Sequence, residues 1–338
     1  MPGTEDFDRL PPRGEHALLV SSVERRGEAR DTATGSLQLL DVRTGAAEPM
    51  PLLGRDACGF RPHGISTVER IGGAWEVFVV VHHGHDDLAR ADCGLAAAQA
   101  PAPHGRRHRR AARAQLDSVE RYRVQDDGLR FVERMTDPLV TNPNDVDAAP
   151  DGRLWVSNNP PWEQTRELVV DMLLGRRRGK VLIYRPVERS WSVAAQRMLY
   201  PNGVAVDAEV ERLHVSGARG KLRQFPLDGT GVAEGPPTRR GRARGTLDNL
   251  MWADDGALWT TGHPDSLAFI RHVEDPEEPA PTEVFRVTPD PAHRRRLVAK
   301  RVLRVDDGRV DAGSVALPME DGVAIGQVFD ASVMLCRP

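Results

Sequence analysis

The sequence predicts an all-β chain, a six-bladed β-propeller around a central tunnel, and three observations predict it. A strand–turn–strand–strand unit recurs along the chain; turn-forming residues are plentiful, with 31 glycines and 26 prolines in 338 residues; and both ends read as strands. Residues 145–159 show the unit most clearly: an apolar strand, an Asp-Gly turn, and a second strand that ends in small polar residues. Residues 203–217 and 249–262 repeat it, and third strands follow at 179–184, 221–227 and 283–288. Alternating strands with turn signals at short intervals argue for an all-β domain. A repeat of about 50 residues built from such strands argues for propeller blades, and this length holds about six. The strand-like segments 17–22 and 323–335 could share a blade and so close the ring, removing exposed sheet edges.

Residues 1–338 are therefore read as one domain with two interruptions. Residues 87–116 are rich in Ala, Arg and Pro and include Arg106-Arg107-His108-Arg109-Arg110; a solvated inserted loop is the expectation, rather than a nucleic-acid site. Residues 162–175 are expected to form the one helix, with Leu168, Val169, Met172 and Leu173 at helical spacing and Gly175 as its cap. It would either pack on the propeller surface or act as a lid.

Composition excludes several functions. At 40% hydrophobic and 28% charged residues, with mean hydropathy −0.45, the chain is that of a soluble globular protein. A net charge of −3 gives no global case for nucleic acid or an anionic membrane. No apolar run approaches the length of a membrane helix, and Met1 to Asp6 carries neither the basic nor the apolar region of a signal peptide. The expectation is a cytoplasmic protein. Cys58, Cys93 and Cys336 are an odd number at no metal-like spacing, so they argue neither for a disulfide scaffold nor for zinc. No Gly-x-Ser-x-Gly elbow and no glycine-rich phosphate motif is present.

In a propeller the innermost strands start around one mouth of the tunnel, so the polar residues preceding them converge. These are Glu5, His63, Asn144, Asn202, Asp248 and Asn249, with Glu5 to His63, Asn144 to Asn202 and Asn202 to Asp248 each about one blade apart. Any one of them alone would be read as a turn residue. Together, Glu5, Asn144, Asn202, Asp248 and Asn249 offer five side-chain oxygens, two of them carboxylates. Hard oxygen donors select calcium or magnesium over zinc, and an amide-rich site from separate loops suits calcium. If the strands alternate, the neighbouring Asp6 and Asp145 would point elsewhere, toward a second site. His82, His83 and His85 offer a further place for an adventitious metal.

Glu5-Asp6-Phe7, Pro62-His63-Gly64-Ile65-Ser66, Val80-Val81-His82-His83, Asn144-Asp145, Asn202-Gly203, Asp248-Asn249, the stretch from Trp259 to His263-Pro264 and the closing 326–336 occur in one order. That ordered set resembles the paraoxonase/lactonase family over nearly the whole chain. The resemblance implies that Glu5, Asn144, Asn202, Asp248 and Asn249 hold a catalytic calcium, and that Asp6, Asp145 and the carbonyl of Ile65 hold a structural one. It implies that His63 and His83 are the family's histidine pair, with His63 or a carboxylate such as Glu5 or Asp248 accepting the proton of the attacking water. His263 and Trp162 would line the pocket for a small lactone or ester. The family's N-terminal hydrophobic helix has no counterpart here, so its membrane or lipoprotein attachment is not implied. Cys336 is expected to be a free thiol. A sugar-lactonase of the gluconolactonase type and a non-catalytic binding propeller remain the alternatives.

Overall fold

In the computed structural model, residues 3–26, 33–56, 58–83, 117–161 and 165–337 are described. Six sheets follow one another along the chain. Blade 1 is β1 (Asp6–Arg9), β2 (Ala17–Ser22), β3 (Ser36–Asp41) and β4 (Ala47–Pro49). Blade 2 runs outward from β6 (Arg61–Glu69) through β7 (Trp75–His82), β8 (Ser118–Gln125) and β9 (Gly128–Met135), with the short β5 (Leu52–Leu53) added in parallel at its rim. Blade 3 is β10 (Pro143–Ala148), β11 (Leu154–Asn158), β12 (Gly179–Arg185) and β13 (Ser190–Met198). Blade 4 is β14 (Pro201–Asp207), β15 (Arg212–Gly217), β16 (Lys221–Pro226) and β17 (Arg239–Arg242). Blade 5 is β18 (Thr246–Trp252), β19 (Leu258–His263), β20 (Thr282–Pro289) and β21 (Leu297–Val305); blade 6 is β22 (Gly313–Met319), β23 (Gly322–Gln327) and β24 (Met334–Cys336).

The architecture is thus a six-bladed β-propeller. Each inner strand neighbours the next, from β1 through β6, β10, β14 and β18 to β22 and back to β1. Because every blade is buried on both faces, its apolar side chains fill the spaces between blades. Leu19 and Leu37 meet Ile65 and Val77 between blades 1 and 2. Val204 and Leu213 meet Trp155 and Ile183 between blades 3 and 4. The last such core joins Val315, Leu317 and Ala324 of blade 6 to Phe7, Leu18 and Val20 of blade 1, and so closes the ring.

Three expectations need correction. Segments 17–22 and 323–335 do not share a blade: β2 belongs to the first sheet, β23 and β24 to the last. The chain just before β1 crosses the seam, where Thr4 bridges Gln327 and the Gly3 N–H donates to the Phe329 carbonyl. Gly326 permits that approach, since a Cβ there would lie 2.6 Å from the Thr4 carbonyl oxygen. A second helix exists beside α1 (Thr165–Leu174): α2 (Ser266–Glu274) starts at an N-cap, Asp265, whose carboxylate accepts from the Leu267 and Ala268 N–H groups. Finally, Cys58 is disulfide-bonded, which cysteine spacing does not announce because bridging depends on tertiary approach; Cys336 keeps its free thiol. Among the described residues no helix is long and apolar enough to cross a membrane. Residues 87–116, together with His85 and Trp162, lie outside the described residues.

Candidate functional site

Each inner strand after β1 begins with a break in register against its neighbour. The breaks fall between Pro62 and Ile65, Pro143 and Val146, Pro201 and Val204, Leu247 and Leu250, and Gly313 and Val315. A bulge suspends alternation and re-aims side chains. The residues inside the breaks are His63, Gly64, Asn144, Asp145, Asn202, Gly203, Asp248, Asn249 and Ser314, and six of these are predicted site residues. Two glycines sit there because backbone from the next blade leaves no room for a side chain: a Cβ at Gly64 would lie 2.6 Å from the Asn144 carbonyl oxygen, and one at Gly203 would lie 2.5 Å from the Leu250 nitrogen. The small polar residues ending the second strands support the bulges. Ser21, Ser157 and Ser216 accept from the N–H groups of Asp6, Asp145 and Gly203 respectively.

Glu5, Asn144, Asn202, Asp248 and Asn249 are all buried. The Asn249 amide donates to the Glu5 carbonyl at 3.5 Å, and the Ser216 and Thr260 hydroxyls donate to the Asp248 carbonyl. Among the described residues, Glu5 Oε2, Asn144 Oδ1, Asn202 Oδ1, Asp248 Oδ1 and Asn249 Oδ1 are buried without a hydrogen-bond partner. Leaving a buried acceptor unsatisfied costs about 1–3 kcal/mol, so five such oxygens on neighbouring inner strands call for partners. Burial pushes the Glu5 carboxyl up to about 7, with Arg25 opposing and Asp248 adding to the rise. A hard cation would answer both the orphaned oxygens and the buried charge. No three His, Cys, Asp or Glu side chains among the described residues suffice for a metal by themselves, so the asparagine oxygens would be essential to any such site.

Next to this set, Asp6 Oδ2 accepts the Ile65 N–H at 2.7 Å, and Asp145 Oδ2 accepts the Val204 N–H at 2.8 Å. Burial drives both carboxyls well above the usual range, with Asp8 and Glu5 adding to the rise at Asp6, and Asp6 and Asp147 adding to it at Asp145. Asp6 Oδ1 has no hydrogen-bond partner among the described residues. Two residues further along, Asp8 and Asp147 repeat the pattern, accepting the Thr67 and Val206 N–H groups. Their carboxyls are pushed by burial to about 6 and about 7. Sequence reading passed over this lower pair, although Asp-x-Asp in both 6–8 and 145–147 signals it.

The histidines divide differently from the expectation. His63 Nε2 lies 3.6 Å from Glu5 Oε1, and burial, Arg25 and His82 together hold its pKa well below the ordinary value. The ring beside it is that of His82, edge-on at 5.1 Å between centroids. His82 Nδ1 is in turn 3.1 Å from Asp117 Oδ2. His83, one residue on and therefore opposed in direction, is fully buried, with Nε2 2.8 Å from the Ser118 hydroxyl. His263 does not face open solvent: its Nε2 is 3.0 Å from Asp248 Oδ2 and its ring packs on Phe269 of α2. Arg25, absent from the sequence-based set, has its Nε 3.6 Å from Glu5 Oε2. In α1 the expected apolar stripe is split, with Leu168 and Met172 half-buried and Val169 and Leu173 exposed, while Asp171 is buried beside Arg178.

An arylesterase family model matches residues 112–336. Serum paraoxonase/arylesterase 2 of Gallus gallus is 25% identical over 348 residues, covering 97% of this chain and 84% of that protein. A stretch of 121 residues, 36% of this chain and 30% of the relative, is 24% identical to strictosidine synthase-like 3 of Arabidopsis thaliana. Among solved structures, a candidate gluconolactonase superposes with TM-score 0.53 at 16% identity, covering 97% of this chain and 87% of that one. The calcium-binding protein regucalcin of Agrobacterium tumefaciens gives 0.51 at 12% identity, covering 96% and 82%. At such identities the structural likeness shows the fold alone.

Proposed function

Since the chain belongs to the arylesterase family, we propose that it is a calcium-dependent hydrolase of small lactones or esters. One observation carries the metal: the five buried oxygens of Glu5, Asn144, Asn202, Asp248 and Asn249 that accept no hydrogen bond among the described residues. These residues would hold the catalytic ion, and Asp6, Asp145 and the Ile65 carbonyl a structural one. Calcium bound there supplies positive charge that polarises a substrate carbonyl and stabilises the oxyanion.

The remaining chemistry belongs to the chain. His63 is kept neutral by burial and by the adjacent Arg25 guanidinium, and a neutral imidazole can accept a proton from water. His82, held by Asp117, fixes one side of that ring, and the Glu5 carboxylate stands on another. His263 braces the Asp248 carboxylate by one oxygen and leaves the other available.

The test is an assay of chelated and calcium-reloaded protein on an aryl ester, a hydrophobic lactone and a sugar lactone. Turnover lost on chelation and restored by calcium is expected, with the hydrophobic lactone preferred. Sugar-lactone preference would point to a gluconolactonase-type enzyme. Turnover indifferent to chelation would overturn the reading.

A further inference from the structure

The outer half of blade 4 carries an arrangement that the hydrolase site does not use. β16 and β17 pair so that Lys221 stands opposite Arg242 and Arg223 opposite Arg240. Directly opposed residues share a sheet face, and like charges placed so destabilise the pair. The intervening Leu222 points the other way, into the apolar core shared with blade 5. The cationic face therefore looks toward blade 3.

Arg177, on the chain leading from α1 into β12, adds its charge from the blade 3 side, and Arg219 adds another from the turn before β16. The groups acting on Lys221 are Arg177, Arg223, Arg219 and Arg242, and those acting on Arg223 are Arg177 and Arg240; after burial these lower both pKa values. Among the described residues none of the six makes an ion pair. The nearby Asp171 is taken up by Arg176 and Arg178. Arg223 Nη1 is buried and has no hydrogen-bond partner among the described residues. Arg219 already donates to the Met172 and Leu173 carbonyls at the end of α1; the other five cations, one holding a buried N–H to spare, form an unsatisfied arrangement. Guanidinium forks match tetrahedral oxyanions best.

We propose that the blade 3 side of β16 and β17, with Arg177, Lys221, Arg223, Arg240 and Arg242, binds a small tetrahedral dianion of the phosphate or sulfate type. Arg223 supplies the buried donor, and the exposed Arg240 and Arg242 close over the ligand. The site is independent of the calcium centre. Its test needs no turnover.

Sulfate is the probe, because it leaves calcium in place. Calorimetric titration of the calcium-loaded protein with sodium sulfate, against chloride at constant ionic strength, should give saturable binding. Arg223→Gln should weaken it at least about tenfold, or 1.4 kcal/mol. Arg177→Gln, from the blade 3 side, should weaken it too and serves if Arg223→Gln misfolds. A second readout follows from the repulsion. Arg240→Gln should melt above wild type in chloride, and saturating sulfate should narrow or reverse that gap. Vesicles carrying phosphatidic acid separate a lipid headgroup from a free ion: sulfate binding without vesicle co-sedimentation supports the small-ion site, while co-sedimentation without sulfate binding overturns it. No saturable heat in wild type, equal binding in both variants, or Arg240→Gln melting below wild type in chloride would each overturn the proposal.

Discussion

Asp248 has its two carboxylate oxygens in different situations, Oδ2 on His263 and Oδ1 buried and accepting no hydrogen bond among the described residues. Within the proposed mechanism it is one of only two carboxylates on the catalytic ion, and no other side chain can replace it. Asp248→Ala is expected to lower turnover by about 10² to 10³, the usual effect of removing an electrostatic group. Proton acceptance by His63 contributes about 10² to 10⁴, but Glu5 stands 3.6 Å away as a partial substitute. Asp248→Ala should therefore be the more damaging of the two. Steady-state kinetics at saturating calcium check the order, and an inactive His63→Ala beside an active Asp248→Ala would reverse the assignment. The histidine pair gives a second comparison. His82→Gln should lower kcat by about tenfold or more with little change in KM, because His82 touches His63 and Asp117. His83→Gln, buried against Ser118, should show itself in melting temperature instead.

Among the elements, the bulged inner strands and the serines behind them position the site, and their tolerance is small. Gly203→Ala would drive a Cβ to 2.5 Å from the Leu250 nitrogen and 2.7 Å from the Asp248 carbonyl oxygen. Because all the atoms met are backbone of β18, which cannot give way like a side chain, a loss of about 3 kcal/mol in denaturant unfolding is expected. β15 carries a different liability. His214 is buried, has its Nε2 2.7 Å from the Gln224 amide nitrogen, and sits edge-on to Trp252. Burial pushes its pKa down to about 4, against the Ala205 backbone and Asp207, which raise it. Below the ordinary value of about 6.5, the unfolded chain takes up a proton that the folded chain refuses. The stabilisation is thus complete above that value and is lost as pH falls toward 4, amounting to about 2 kcal/mol at pH 5. His214→Gln should lose less stability than wild type between pH 7 and pH 5, with both calcium-loaded; parallel pH profiles would refute this.

At the scale of the whole molecule, six cores between blades form a cycle, and the last of them joins the two ends of the chain. Asp6 before the first core, Ile65 in blade 2 and Asp145 in blade 3 would let one ion clamp three blades. A ligand held only by the folded state stabilises it by roughly 2.7 kcal/mol at a hundredfold excess over its dissociation constant. Chelation should lower the melting temperature by several degrees, and calcium should restore it. An unchanged melting curve after exhaustive chelation would remove the clamp from the account.

Much of this was legible in the chain. Two-residue alternation and turn chemistry are local, so the repeats at 145–159, 203–217 and 249–262 map directly onto β10–β11, β14–β15 and β18–β19. The polar residues ahead of the inner strands were equally visible, since each is adjacent in sequence to the apolar run that buries it. Asp265, the N-cap of α2, was also a local signal, yet the apolar run at 168–173 drew the helix assignment to α1 alone. What only the tertiary structure decided depends on distant partners. His82 rather than His83 meets His63 because the direction of each ring follows from where β7 ends and from Asp117, which the chain reaches 34 residues beyond His83. Arg25 reaches Glu5, Asp8 and Asp147 line up below the first carboxylates, and Arg177 joins the cations of blade 4 because ring closure sets blades side by side. Strand pattern is written in neighbours along the chain, whereas charge and hydrogen-bond partners are chosen across blades.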